Sequence, residues 1–270
     1  MFQYGKRMLL VIYAALIIVP MSVVVFTSFK TTKAFYLDPL GFPKEGTLNN
    51  YYHMFERANM FVYFKNSVIV TASTILLVLL LASMISYAVM RLKGWKGNLL
   101  YSFFILGMML PAQVNMIPLY GIVKQLNLTN SLFGLIIVSS TAFLSVAVFI
   151  IGGFMKTLSH DMIEASSIDG ASEWQIYSKI ALPLSAPALA TAAIFLFVMV
   201  WNDLLYPLLF ITDIKLKTLP LALLDFQGEY LTNYPMIFAG VMIASIPVVI
   251  TYIFLQKYFV AGMTAGASKG

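Results

Sequence analysis

The 270 residues are 60% hydrophobic and only 10% charged, contain no cysteine and carry a formal net charge of +6, with a mean hydropathy of +0.88. That composition excludes a water-soluble domain of this size and makes the bilayer the main solvent. Without cysteine there is no disulfide, thiolate metal site or cysteine nucleophile. The basic residues form no run or stripe, which argues against nucleic acid, and His53 and His160 lie in separate loops, which argues against a metal centre.

Lys6 and Arg7 precede an uncharged run, residues 8–29, that is longer than a signal-peptide core and reads as a first spanning helix. A span needs roughly 20 apolar residues. Five further stretches qualify: residues 66–90, 99–119, 132–155, 186–210 and 235–256. Six spans place both termini on one side, in an all-α integral membrane protein with a single transmembrane domain over residues 1–270. Arg91, Lys93 and Lys96, packed into one short loop, favour that side as cytoplasmic, although the basic residues as a whole, these three included, divide almost evenly between the two sets of loops.

The loop at 30–65 holds Pro39, Gly41, Pro43 and Gly46 and then an aromatic stretch from Tyr51 to Phe55, so it is expected to be ordered. In the third span Pro111, Gln113, Asn115 and Pro118 follow closely on one another. Prolines free backbone carbonyls in a place where lipid cannot satisfy them. Gln113 and Asn115 fit either a cavity lining or helix-to-helix hydrogen bonding. Asn127-Leu128-Thr129 has the form of a glycosylation acceptor, a match too short to carry weight. The fifth span contains Trp201, Asn202 and Asp203, and an ionisable group there is a candidate for function. The loop at 211–234, with Asp213, Asp225, Glu229 and Tyr230, is long enough to meet a soluble partner. The tail at 257–270 reads as disordered by composition alone.

One polar loop, residues 156–185, is patterned rather than merely solvated. Asp161 and Glu164 have the D-x-x-E form of a helix start, and Ser172 with Gln175 forms a second capping box. Two short helices are expected, with Gly170 as the left-handed turn residue between them. Pro183 is expected to limit the second to Leu182. The acids Asp161, Glu164, Asp169 and Glu173 have helical spacing and lack a basic or metal-binding companion, which favours a docking surface over a catalytic one.

At this loop the chain resembles the membrane subunits of binding-protein-dependent ABC importers, whose EAA loop has the form E-A-A-x-x-D-G-A-x5-F-x-x-I-x-L-P-x3-P. Glu164, Ala165, Asp169, Gly170, Ala171, Ile180, Leu182, Pro183 and Pro187 match it, while Ser166 replaces the second alanine and Tyr177 the phenylalanine. Outside the loop it resembles the maltose-type G subunits of the carbohydrate branch through Asn66-Ser67, Trp201-Asn202 and Thr264-Ala265-Gly266-Ala267.

The resemblance implies the type I importer permease architecture, in the cytoplasmic membrane of a bacterium with both termini and the EAA loop in the cytoplasm. It implies a coupling helix in which Glu164, Ala165, Ser166, Asp169, Gly170 and Ala171 dock on an ATPase, and a tail, Thr264 to Ala267, that reaches the ATPase dimer interface. The partners it implies are a second homologous permease, a dimer of ATP-binding subunits that holds ATP and Mg, an extracytoplasmic solute-binding protein and a sugar. Gln113, Asn115, Asn202 and Asp203 are the candidates for the translocation path. No cofactor is expected in this chain.

Two other classes compete. An ion-coupled secondary transporter needs several intramembrane ionisable residues or paired broken helices, and a membrane enzyme needs a nucleophile with its base. No G-x4-G-K-[ST] occurs in the sequence, so this chain brings no phosphate-binding loop of that kind.

Overall fold

The computed structural model describes residues 2–56, 59–92, 94–226 and 232–267, and for residues 2, 3, 160 and 255–267 the backbone alone. Every regular element among them is helical: α1 Phe2–Ser28, α2 Thr32–Leu37, α3 Asn49–Glu56, α4 Met60–Arg91, α5 Trp95–Met109, α6 Met116–Gln125, α7 Leu132–Met155, α8 His160–Ile168, α9 Glu173–Ile176, α10 Leu182–Leu184, α11 Ala186–Trp201, α12 Leu205–Phe210, α13 Leu219–Leu223 and α14 Tyr234–Ala267, with short 3-10 and π turns between some of them. Lipid offers no partner to a bare N–H or C=O, and a helix satisfies both within itself.

Among the described residues α1, α4, α7 and α14 are long and apolar enough to cross a membrane alone. Two bent pairs raise the number to as many as six. The α7 limits coincide with the expected fourth span, because Ser131 accepts the Gly134 amide at its start and no proline or charged residue interrupts the run. The expected third span is not one helix. It breaks after α5, and α6 leaves at 90°. Pro111 disfavours an α conformation at Leu110, which takes φ −78° and ψ 119°, and a 3-10 turn over Ala112–Asn115 redirects the chain. The fifth span is likewise interrupted at residues 202–204, where Pro207 lacks the amide that would continue the ladder and Asp203 Oδ1 accepts from the Leu205 amide to start α12. The tail expected to be disordered continues the backbone of α14 through Ala267. The side chains of Thr264 to Ala267, and Lys93, Glu229, Tyr230 and residues 268–270, lie outside the described residues.

The chain divides into two compact units, Met1–Lys65 with Thr218–Pro247, and Asn66–Lys217 with Val248–Gly270. In the first, the segment after α1 is ordered by polar bonds to backbone. Lys30, 2% exposed, donates to the Asp38 and Pro39 carbonyls at 2.7 and 3.3 Å, and Asn50 donates to the Ser28 and Lys30 carbonyls at 2.8 and 2.9 Å. Phe26 meets Phe42 edge-on, Phe29 lies by Tyr51, and Phe35 by Tyr234, which bears out the expected order of this loop. Most of α1 is exposed, with its membrane-spanning run open to lipid or to another chain.

The second unit has one apolar core. Val78, Ala82 and Met90 of α4 pack with Ala147, Val148, Ile151 and Met155 of α7 and with Ala192 and Leu196 of α11. Ile163 of α8, Ile176 of α9 and Ala181 belong to the same cluster, so the polar loop is anchored in the core of the spans. Burying one such side chain contributes about 1.5–3 kcal/mol by transfer from water.

Candidate functional site

The loop between the fourth and fifth spans folds as the expected pair of helices, with one change at each start and end. The first helix begins two residues early. Ser159 takes the cap position without a side-chain bond, and Asp161 stands in the first turn, where its charge complements the helix dipole. At the other end Gly170 has φ +81°, its amide donates to the Ser167 carbonyl at 3.2 Å, and the Ala171 amide donates to the Ser166 carbonyl at 3.1 Å. This pair of bonds is the Schellman closure, and the residue at its left-handed position is nearly always glycine. Ser172 then opens α9 with a complete capping box: Gln175 N donates to Ser172 Oγ at 3.3 Å and Ser172 N to Gln175 Oε1 at 2.8 Å.

Pro183 does not end the second helix. A π turn over Tyr177–Ala181 precedes it, in which the Leu182 amide reaches back to the Tyr177 carbonyl. The shift from an i−4 to an i−5 register widens the turn ahead of the proline ring, and the chain adds α10 before it turns at Ser185. The resulting bend to α11 is 71°.

The first helix turns one side inward through Ile163, 2% exposed, and presents Glu164, Ala165, Ser167, Ile168, Asp169 and Gly170 outward. Ser166 and Ala171 are half-buried. The Ser166 hydroxyl donates to the Met162 carbonyl at 2.8 Å, and Ala171 packs against the core. Of the six expected docking residues, four are therefore fully at the surface. Sequence reasoning missed Ile168, whose side chain is 85% exposed at the tip of the helix, and Trp174, 62% exposed at the start of the next. A large apolar group held in the open at the end of a rigid helix is a common form of interface anchor, and its exposure is a tertiary fact with no local signal.

Glu173 differs from the other acids in the loop. Arg91, at the end of α4, forms a bidentate ion pair with it through Nε and Nη2, and the Tyr87 hydroxyl donates to its Oε2 at 2.5 Å. One turn further on, the hydroxyls of Ser83 and Tyr177 meet at 2.9 Å in a buried position, with the Tyr87 and Tyr177 rings 5.4 Å apart. Glu173 thus has a basic companion in Arg91, which corrects the reading that all four acids lack one. Beside α8 a cavity of about 480 Å³ opens, lined among others by Arg91, Gly97, Asn98, Lys156, Ile163 and Glu164. Lys156 Nζ lies 3.8 Å from the centre of the Tyr101 ring and 3.4 Å from Asn98 Oδ1.

The other candidate residues lie apart from this loop. Gln113 and Asn115 are exposed in the 3-10 turn at the 90° bend. Asn202 is exposed and its amide donates to the Val198 carbonyl at 2.8 Å. Asp203 caps α12 through Oδ1, while its buried Oδ2 makes no hydrogen bond to the described residues. No hydrogen bond among the described residues links the two pairs. In the same unit two asparagines hold the loop after α12: Asn130 Oδ1 accepts from Thr212 N and Asp213 N at 3.1 and 2.8 Å, and Asn66 Nδ2 donates to the Lys215 and Lys217 carbonyls at 2.9 and 3.0 Å. No group of histidine, aspartate and glutamate with metal-ligand geometry occurs among the described residues.

Residues 78–265 match the family described as binding-protein-dependent transport system inner membrane component. The multiple sugar-binding transport system permease protein MsmG of Streptococcus mutans is 35% identical over 98% of this chain and 97% of its own length. The melibiose/raffinose/stachyose import permease protein MelC of Bacillus subtilis is 32% identical over 93% of this chain and 91% of its length. A bacterial ABC transporter involved in the import of the acidic polysaccharide alginate shares the fold, with a TM-score of 0.82 at 21% identity over 96% of both chains. The chain belongs to the family of inner membrane components of binding-protein-dependent transport systems, within which its full-length relatives include permeases for sugars.

Proposed function

We propose that this protein is the transmembrane subunit of an ATP-driven sugar importer. It forms half of the translocation path, with a second permease as the other half, for a sugar or oligosaccharide delivered by a solute-binding protein. ATP and Mg are bound and ATP is hydrolysed in a separate pair of subunits, and this chain takes no catalytic part. The loop at 156–185 and both termini face the cytoplasm of a bacterial cell, and residues 1–270 act as one permease domain.

The observation that carries this reading is the α8 tip. Its surface presents Glu164, Ala165, Ile168, Asp169 and Gly170 on a helix fixed to the spans by Ile163, with a glycine turn at its end. Acidic groups around an exposed isoleucine suit a cleft with a basic rim and an apolar floor, since charge-assisted bonds at the edge give orientation and the apolar contact gives affinity. Closure of the ATPase pair on nucleotide would carry such a helix as a rigid body and tilt the spans joined to it. The backbone of α14 extends through Ala267 and supports a second, smaller contact of Thr264 to Ala267 with the ATPase. Gln113, Asn115, Asn202 and Asp203 are assigned to the path, and the loop at 211–234 to the solute-binding protein.

Reconstitution tests this assignment. ATP hydrolysis should appear only when the nucleotide-binding subunits are added and should rise with sugar-loaded binding protein. Sugar uptake by this chain alone, driven by a proton or sodium gradient, would overturn it in favour of a secondary transporter.

A further inference from the structure

The coupling loop and the loop after α12 are both fastened to one helix, α4, by polar bonds at its two ends. Ser83, Tyr87 and Arg91 stand at i, i+4 and i+8 and therefore share one face. That face meets Tyr177 and Glu173, which are themselves four residues apart, so the contact is a ladder of two polar rungs between two helices. The upper rung is bidentate, which fixes orientation as well as distance. The lower one is buried, and breaking it would strand hydroxyls away from water. A single exposed ion pair stabilises little, but this pair is reinforced by Tyr87 on the same carboxylate and by the core contact of Ile176 one turn below.

At the far end of the same helix, Asn66 is 6% exposed and holds the Lys215 and Lys217 carbonyls. Twenty-five helical steps separate Asn66 from Arg91, about 38 Å at 1.5 Å per residue. That is more than the thickness of a hydrocarbon core, about 30 Å.

We infer that α4 is the rod through which the coupling loop and the loop after α12 act on each other: Glu173 seats the rod on the ATPase side and Asn66 seats it on the side of the solute-binding protein. These are positioning residues, acting through backbone and helix rather than on sugar or nucleotide. The inference rests on the proposed function. A helix that takes one of two positions, and whose position both sites bias, couples them.

The test uses the reconstituted complex of both permeases, the ATPase pair and the solute-binding protein, and reads the ratio of binding-protein-stimulated to basal ATP hydrolysis. Glu173→Gln retains shape and removes the charge, and Asn66→Ala removes the far bond. Each should lower the ratio about five- to tenfold. Independent sites this far apart would combine multiplicatively in the double variant. One rod predicts instead that the double variant is no worse than the more severe single. Multiplicative losses, or a single variant with the unmodified ratio, would overturn the inference.

Spin labels at Leu76→Cys and Lys179→Cys give a second readout in a chain without other cysteines. Their separation should stay constant when nucleotide is added, even if Asn66→Ala assembles poorly, and a resolved change would overturn the rod. An unmodified complex that shows no stimulation at all refutes the proposed function. Normal stimulation in the variants refutes only the rod.

Discussion

Gly170 offers a way to separate the shape of the coupling loop from its contact with a partner. Its φ of +81° lies in the left-handed region, where an L side chain costs roughly 1–2 kcal/mol. A Cβ built there meets nothing within 4 Å. Within this chain alone, Gly170→Ala and Gly170→Trp should therefore be equally costly, each shifting the closed cap by about five- to thirtyfold toward an open turn. Gly170→Asn should cost less, because asparagine tolerates this region, as Asn59, Asn127 and Asn130 do here at φ 53°, 55° and 52°. The three variants differ once a partner surface is present. If the glycine lies in a cleft, the indole has no room, and Trp should abolish stimulated ATP hydrolysis and sugar uptake while Ala lowers them by no more than the cap factor and Asn by less. Copurification with the ATPase and uptake into proteoliposomes are the assays. Equal behaviour of Ala and Trp would mean that only the cap matters, and normal transport by the Trp variant would refute docking at this turn.

Ile168→Ser should leave stability within about 0.5 kcal/mol, since the side chain is already in solvent, yet weaken ATPase copurification; retention at the unmodified level under increasing salt and detergent would remove Ile168 from the interface. Asn50→Ala strands two carbonyls of the segment after α1, at about 1–3 kcal/mol, and faster protease cleavage between residues 30 and 56 is the expected sign, with an unchanged cleavage rate counting against it. Asp203→Leu should reduce uptake at limiting sugar, whereas Asp203→Asn retains an oxygen to cap Leu205 and separates the cap from the carboxylate; uptake that is normal in both variants would remove Asp203 from the path.

What the sequence revealed and what it concealed divide by range. Ser131, Gly170 and Ser172 act on amides or carbonyls within a few residues, and the helices they bound were legible to the residue or nearly so. Pro111 signalled a disturbance, but a 90° redirection depends on what each half packs against, and α5 is held to α7 through Tyr101, whose hydroxyl donates to the Phe149 carbonyl. Pro183 signalled a break but not a π turn, because a tertiary benefit adds to the room made for the ring: the turn allows Tyr177 to face Ser83 and Ala181 to remain in the core. Arg91 was read only as a charge that sets orientation, since its partner lies 82 residues away and nothing in either segment names the other. Asn130 sat beside a motif set aside as noise, and its true work, holding two amides of a distant loop, also spans 82 positions or more.

These pairings change how a polar residue in an apolar chain should be weighed. In lipid an unsatisfied backbone group costs several kcal/mol, so every bent span and helix end creates a demand for donors and acceptors. Asn66, Asn130 and one oxygen of Asp203 are consumed by that demand. A polar side chain near the end of a span is therefore weak grounds for a transport role until its backbone obligations have been counted. Of the residues assigned to docking or the path, counting them leaves Gln113, Asn115 and Asp169, none of which makes a side-chain hydrogen bond among the described residues and all of which are exposed. Asp169 stands at the coupling turn, beside Gly170, and the two amides stand at the sharpest bend in the spans. If this reasoning holds, Gln113→Ala should impair sugar uptake without loss of assembly, whereas Asn130→Ala should loosen the loop after α12 first and impair uptake only as a consequence. Hydrogen exchange at Thr212 and Asp213, compared with uptake in the same two variants, separates them. Unchanged protection at those amides in Asn130→Ala would show that the backbone demand had been misassigned.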